Sequence, residues 1–185
     1  QDSELNLDLA AAISKLRSLI LAPPHHATRN GQHSGALFGG THRPFQRLEE
    51  ALATAVGDYW KEVGAGSDAL SERRPSAVTI NAWAVLLQGD GFQLPHVHPE
   101  AWVSGVYYVE VPASCGGVAN ADREGCLELG QVDPSLGLVR QRTSHFVTPV
   151  AGKLVLFPSC LFHSTIPHRM PGRRISVGID VIPLR

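Results

Sequence analysis

The residues whose types and spacing carry chemistry cluster in QLPHVHPEAWVSGVYYVEVP, residues 93–112. His96 and His98 stand one residue apart, so on an extended chain both imidazoles project to the same side, close enough to share one ion. Glu100 has the same parity, so spacing alone leaves open whether H-x-H or H-x-E supplies the metal ligands. A third ligand must come from elsewhere. His163 in LVLFPSCLFHSTIP is the best candidate, because an apolar strand there runs into Phe157-Pro158 and a loop that would return the chain to the site. Arg174 follows, with Ser176 on the same strand face. A lone histidine is more often a surface or core residue than a ligand, and His25, His26, His33, His42, His145 and His168 receive no role.

The elements that must position these residues follow from patterning. Leu5, Leu9, Ala12, Ile13, Leu16 and Ile20 recur at helical spacing, which predicts one amphipathic helix ended by Pro23-Pro24. The stretch from His25 to Thr41 is rich in Gly, His, Ser and Asn, has no period and reads as a loop. Pro44 suits a first helical turn, and Phe45, Leu48, Leu52, Val56, Tyr59 or Trp60, and Val63 predict a second helix that Gly64 and Gly66 stop. From Ala77 onward the runs SAVTINAWAVLLQ, WVSGVYYVEV, GCLELG, KLVLFP and RISVGIDVIP read as strands punctuated by Gly and Pro. Helices first and strands afterwards predict an α+β, mainly β fold, an antiparallel sheet or barrel with the two helices packed outside it. Residues 112–146 read as a long connection carrying one or two short strands.

Two strands have a dry face and a decorated one. In residues 103–111, Ser104, Tyr108 and Glu110 lie opposite Val103, Tyr107, Val109 and Val111. In residues 173–182, Arg174, Ser176, Gly178 and Asp180 lie opposite Ile175, Val177, Ile179 and Val181. Such faces describe either a sheet wetted on one side or a barrel whose polar interior lines a ligand site. The histidines favour the second.

Composition bounds the partners. The 185 residues and 43% hydrophobic content suit one domain over 1–185, with a helical support region over 1–70 and a β core over 77–185. The first residue is not Met, which reads as a fragment or a processed product. A formal charge of -1 offers no basic field for nucleic acid. Cys115, Cys126 and Cys160 lack C-x-x-C spacing, which argues against a disulfide scaffold or zinc ribbon and for a reducing, cytoplasmic setting. No apolar run approaches a membrane span, and QDSELNLDLA lacks signal-peptide order.

The blocks Asn81-Ala82-Trp83, Pro95 to Pro99, Ser104 to Tyr108, Gly152 to Ser159, His163, and Arg174 to Ser176 occur in an order that resembles the Fe(II)/2-oxoglutarate-dependent oxygenases, and a bacterial group of them in particular. The resemblance implies a double-stranded β-helix, a jelly-roll or cupin-like barrel, with Fe(II) held by His96, His98 and His163. It implies that Arg174 pairs with the distal carboxylate of 2-oxoglutarate, because a guanidinium offers a bidentate fork. Tyr108 would donate a hydrogen bond to the same carboxylate, and Ser176 another. The departure is His98, where most of the superfamily supplies a carboxylate. The implied reaction couples decarboxylation of 2-oxoglutarate to oxidation of a substrate C–H bond by dioxygen, a hydroxylation in the usual case.

Two other readings stand beside it. One is a cupin-like metalloenzyme in which three histidines hold the metal and no 2-oxoglutarate is needed; Arg174 separates it from the first, since such an enzyme has no use for a carboxylate clamp. The other is a jelly-roll binding module without turnover. The expected substrate is a small molecule or a peptide. The loops 23–43 and 112–146 are expected to shape its pocket, and Trp83, Phe92 and Trp102 either wall that pocket or belong to the core.

Overall fold

A computed structural model of the chain describes residues 3–23, 25–63, 69–72, 74–115, 123–131, 137, 144–169 and 171–184. Its centre is β3 (Val78–His96), a 19-residue strand with three antiparallel partners. β9 (Arg173–Pro183) runs beside its first half, from Val78↔Pro183 to Gln88↔Arg173. β8 (His163–Thr165) runs beside its end, at Gln93↔Thr165 and His96↔His163. Between the two the strand bends at Gly89, whose φ of 56° lies in the left-handed region that glycine enters without cost. One strand therefore exchanges its neighbour on one edge while β2 stays paired along the other, within a single curled sheet.

The remaining strands extend both ends. β4 (Val103–Glu110) pairs with β9 and with β7 (Leu154–Pro158), while β5 (Leu127–Leu129) joins β8 to β6 (His145–Val147). The order β6-β5-β8-β3-β9-β4-β7, all antiparallel, curls into the expected double-stranded β-helix.

Alternation decides what each face of the β3–β9 part of the sheet meets. Ala82, Ala84 and Leu86 of β3 and Ile175, Val177 and Ile179 of β9 point outward and are buried under α1 (Ser3–Ile13) and α2 (Arg43–Val63). The helices contribute Leu5, Leu9 and Ile13, and Phe45, Leu48 and Leu52, at the i, i+4 and i+3 spacings of one helical face. The far end of α2 packs Val56, Tyr59, Trp60 and Val63 around Trp102, Val103 and Val181. Trp102 is thus core, and its indole N–H donates to the Leu70 carbonyl at 3.2 Å.

The sequence expectations fail in three places. α1 ends at Ile13 rather than reaching the prolines, because Lys15 and Leu16 tighten the last turn with bonds to Ala12 and Ile13 and the Ser14 hydroxyl takes the Ala10 carbonyl. Ile20–Leu21 instead form β1, paired with β2 (Thr28–Ala36), a nine-residue strand where a loop was expected. β2 pairs along β3 from Thr28↔Gln93 to Ala36↔Trp83, so the 1–70 region is helical with a two-stranded insert. A short α3 (Ala69–Glu72) follows α2. Gly64 and Gly66, and most of 112–146, lie outside the described residues.

Leu48 is fully buried and Leu7 is 72% exposed. In urea unfolding, Leu48→Ala is expected to cost about 2–5 kcal/mol, whereas Leu7→Ala stays within ~0.5 kcal/mol of the parent.

Candidate metal and carboxylate site

The pairing His96↔His163 sets two imidazoles side by side where β3 meets β8, with ring centroids 4.1 Å apart. β3 ends at His96, and the chain turns so that His98 lies 5.1 Å from each of the other rings. The His98 amide donates to the Ser159 carbonyl at 3.1 Å, tying this turn to the end of β7. One ligand atom from each histidine lies within 4.8 Å of the others. Glu100 does not join this group: the strand has already ended, so parity no longer governs it, and its side chain is exposed on the turn.

Each ring is oriented through Nδ1. His96 Nδ1 lies 2.7 Å from the Leu94 carbonyl and His163 Nδ1 lies 3.1 Å from the Leu161 carbonyl. A carbonyl only accepts, so Nδ1 carries the proton in both and Nε2 keeps its lone pair. Burial, reinforced by the neighbouring rings, pushes the His163 pKa down to about 3, and burial lowers that of His96. Both imidazoles are neutral at physiological pH, the state in which histidine binds a metal.

His98 is held differently. Its Nδ1 meets both oxygens of Asp180 at 2.7 and 2.9 Å, and the Ser104 hydroxyl donates to the same carboxylate at 2.7 Å. Asp180 and Ser104 face each other in the β4–β9 register, which builds this contact into the sheet. The Trp83 indole stacks on His98 at 5.5 Å and 20°. It can lie there because Gly178 sits beneath it: a Cβ at that position would come within 2.6 Å of the indole. Sequence reasoning placed Asp180 on the decorated face of its strand and gave it no function. The signal available was parity with Arg174.

Arg174, Ser176 and Tyr108 converge on the inner face of the same sheet. Tyr108 pairs with Ser176 across β4 and β9, and the Arg174 guanidinium lies 5.1 Å from the Tyr108 ring and 3.5 Å from the Ser176 hydroxyl. All three are buried, with Arg174 1% exposed. Neither Arg174 Nε nor the Tyr108 hydroxyl has a hydrogen-bond partner among the described residues. Burial raises the Tyr108 pKa, opposed by the guanidinium beside it, so the phenol keeps its proton as a donor. A buried cation without a counter-charge is costly, and its natural complement is an anion. Arg174, Ser176 and the three histidines line one cavity, walled by Val85, Val106 and Phe157. Arg173 points the other way and pairs with Glu110 at 2.8 and 2.9 Å.

Comparison with known proteins agrees with this geometry. Residues 81–180, more than half of the chain, match the family described as "Putative 2OG-Fe(II) oxygenase". The chain belongs to this 2OG-Fe(II) oxygenase family. No curated protein matches it. Among solved structures, a prolyl-4-hydroxylase from Pseudomonas putida is similar over 100% of this chain and 89% of its own, with 19% identity and a TM-score of 0.68. A viral collagen prolyl hydroxylase from Paramecium bursaria Chlorella virus-1, solved with 2-oxoglutarate, covers 100% and 92% at 13% identity and TM-score 0.64. A prolyl hydroxylase from Trichoplax adhaerens, solved with a hypoxia-inducible-factor peptide, covers 97% and 77% at 16% identity and TM-score 0.64. These likenesses establish the shared fold.

The oxygenase takes Fe(II), 2-oxoglutarate and dioxygen, and its residues fit the first two. Three convergent imidazoles, each with a ring nitrogen within 4.8 Å of the others, are a donor set for Fe(II). The partnerless Arg174 Nε and Tyr108 hydroxyl fit a carboxylate. Among the described residues no helix is long and apolar enough to cross a membrane.

Losing the partner that orients a metal-binding histidine typically weakens binding 10–100-fold, so Asp180→Ala is expected to lower Ni(II) affinity by about that factor in calorimetric titration. Asp180→Asn, which keeps an acceptor for Nδ1–H, is expected to fall between the variant and the parent.

Proposed function

We propose that His96, His98 and His163 hold Fe(II) through Nε2, and that Arg174, Tyr108 and Ser176 receive the distal carboxylate of 2-oxoglutarate in a hydroxylase acting on a peptide or small molecule. The observation that carries this reading is the buried Arg174 guanidinium, which has no counter-charge among the described residues and shares one cavity with the histidine cluster. A three-histidine enzyme without 2-oxoglutarate would leave that charge unexplained. When bound, Fe(II) and 2-oxoglutarate supply the oxidation of a substrate C–H bond by dioxygen, with release of succinate and carbon dioxide.

The chain's own groups do the positioning. Arg174 donates a charge-assisted fork to the carboxylate, Tyr108 donates from its protonated phenol, and the Ser176 hydroxyl sits 3.5 Å from the guanidinium, on the same strand face, to complete the contact. The walls of Val85, Val106 and Phe157 keep the cavity between clamp and histidines apolar, which strengthens the charge pairing and excludes water. Asp180 compensates part of the missing ligand carboxylate: its negative charge reaches the metal position through the His98 ring rather than by direct contact. The sequence's three cysteines, Cys115, Cys126 and Cys160, lack the C-x-x-C spacing of a zinc ribbon or disulfide motif, which supports a reducing, cytoplasmic setting. The peptide or small-molecule class takes support from the prolyl hydroxylases of the same fold, one of them solved with a peptide.

The test is anaerobic titration of 2-oxoglutarate into the Fe(II)-loaded protein, followed through the visible charge-transfer band of the chelate. The wild type is expected to develop the band. Removing one partner of a buried charge pair costs upward of ~2 kcal/mol, so Arg174→Ala is expected to weaken 2-oxoglutarate binding by at least about 30-fold. Stoichiometric iron without a band would sink the reading.

A further inference from the structure

A second cavity of about 120 Å³ abuts the first on the far side of the histidine cluster from Arg174. His96, His98, Trp83 and Gln93 line both, and the outer one adds His26, Thr28 and His33 from β2 and the turn before it. The volume is roughly that of four liquid-water molecules, room for a small functional group with its flanking carbons. Its wall is rigid. The rings of His33, Trp83 and His98 form one stack, with centroid separations of 5.9 and 5.5 Å and interplanar angles of 19° and 20°. His26 closes edge-on against His33 at 4.9 Å.

Among the described residues the lining contains no Asp, Glu, Lys or Arg. It does contain unused hydrogen-bonding capacity of both kinds. Thr28 is 2% exposed, and its hydroxyl has no hydrogen-bond partner among the described residues. Gln93 accepts from the Thr165 hydroxyl through its amide oxygen at 3.4 Å, which leaves its N–H groups as donors. His33 places Nδ1 2.7 Å from the Ser34 carbonyl, which makes Nδ1 the protonated nitrogen and Nε2 an acceptor. Burial lowers the His33 pKa, so the ring adds no charge at neutral pH.

We infer that this outer cavity is the substrate subsite and that it takes an uncharged amide, whose carbonyl and N–H match the donors and the acceptor presented by Thr28, Gln93 and His33. An anion or a cation would be desolvated there without a counter-charge, at a cost the lining does not offset. The inference rests on the proposed iron site, because it is adjacency to the three histidines that makes the cavity a place for chemistry.

The experiment uses the full chain loaded with Mn(II) and saturated with 2-oxoglutarate. The probes are N-methylacetamide, methanesulfonate and tetramethylammonium, similar in size and differing in charge, and the readout is paramagnetic relaxation of their methyl protons. N-methylacetamide is expected to be relaxed well above the two ions. Loss of one hydrogen bond of ~1 kcal/mol is expected to weaken its binding about fivefold in Thr28→Val, and Thr28→Ser is expected to restore it. Both variants should bind Mn(II) and 2-oxoglutarate as the parent does, which separates a lost contact from a misfolded protein. Equal relaxation of all three probes, or a Thr28→Val variant indistinguishable from the parent, would overturn the subsite. Failure of the protein to raise the water-proton relaxation of Mn(II) above that of the free aqueous ion, before any probe is added, would instead overturn the metal site, and the subsite with it.

Discussion

Everything at the centre of this protein depends on β3 changing partners. For eleven positions the strand is hydrogen-bonded to β9, and after the bend at Gly89 it is hydrogen-bonded to β8. The first pairing brings Arg174 and Ser176 onto the inner face opposite Leu87 and Val85. The second sets His163 directly against His96. By exchanging β9 for β8 along one edge, the strand brings Arg174 and the three histidines to one cavity, with backbone hydrogen bonds fixing their separation.

The same alternation serves packing and chemistry. On β9, Ile175, Val177 and Ile179 bury against the two helices, while Arg174, Ser176 and Asp180 between them face the interior and its rim. A one-residue slip of this strand would exchange the two sets, putting a guanidinium under α2 and isoleucines in the site. The helices therefore hold the register on which the site depends. Each outward isoleucine they cover resists the slip that would displace an inward polar group.

Legibility followed from how local the cause of each feature is. The helix stripes, the strand parity and the His96–His98 spacing are set by neighbours in the chain, and they were readable, whereas His163 joins them through the β3–β8 pairing. β2 was not, because TRNGQHSGA has little strand propensity of its own and becomes a strand through pairing with β3. The role of Asp180 escaped notice for a similar reason: His98 is 82 residues away, and only the β4–β9 register brings Ser104 to the same carboxylate. The competing H-x-E frame presumed an extended chain through Glu100, whereas the strand stops at His96. Trp83 was recognised as a pocket or core residue, and the absence of a Cβ at Gly178 is what lets it stack on a histidine.

Arg174 also shows what this barrel gives up. Judged as a folding core, the inner face would be better with an aliphatic residue there, since a cation with no counter-charge among the described residues opposes compaction in a low-dielectric interior while a well-packed apolar side chain favours it. On the proposed role of Arg174, the ligand-free protein is locally frustrated at the position its chemistry needs, a trade of stability against activity. The deficit would be recoverable: a dianion that binds only the folded state returns it as added stability in proportion to the logarithm of its concentration. Resistance to unfolding would then track the supply of the proposed co-substrate, and the protein would be most durable when able to work.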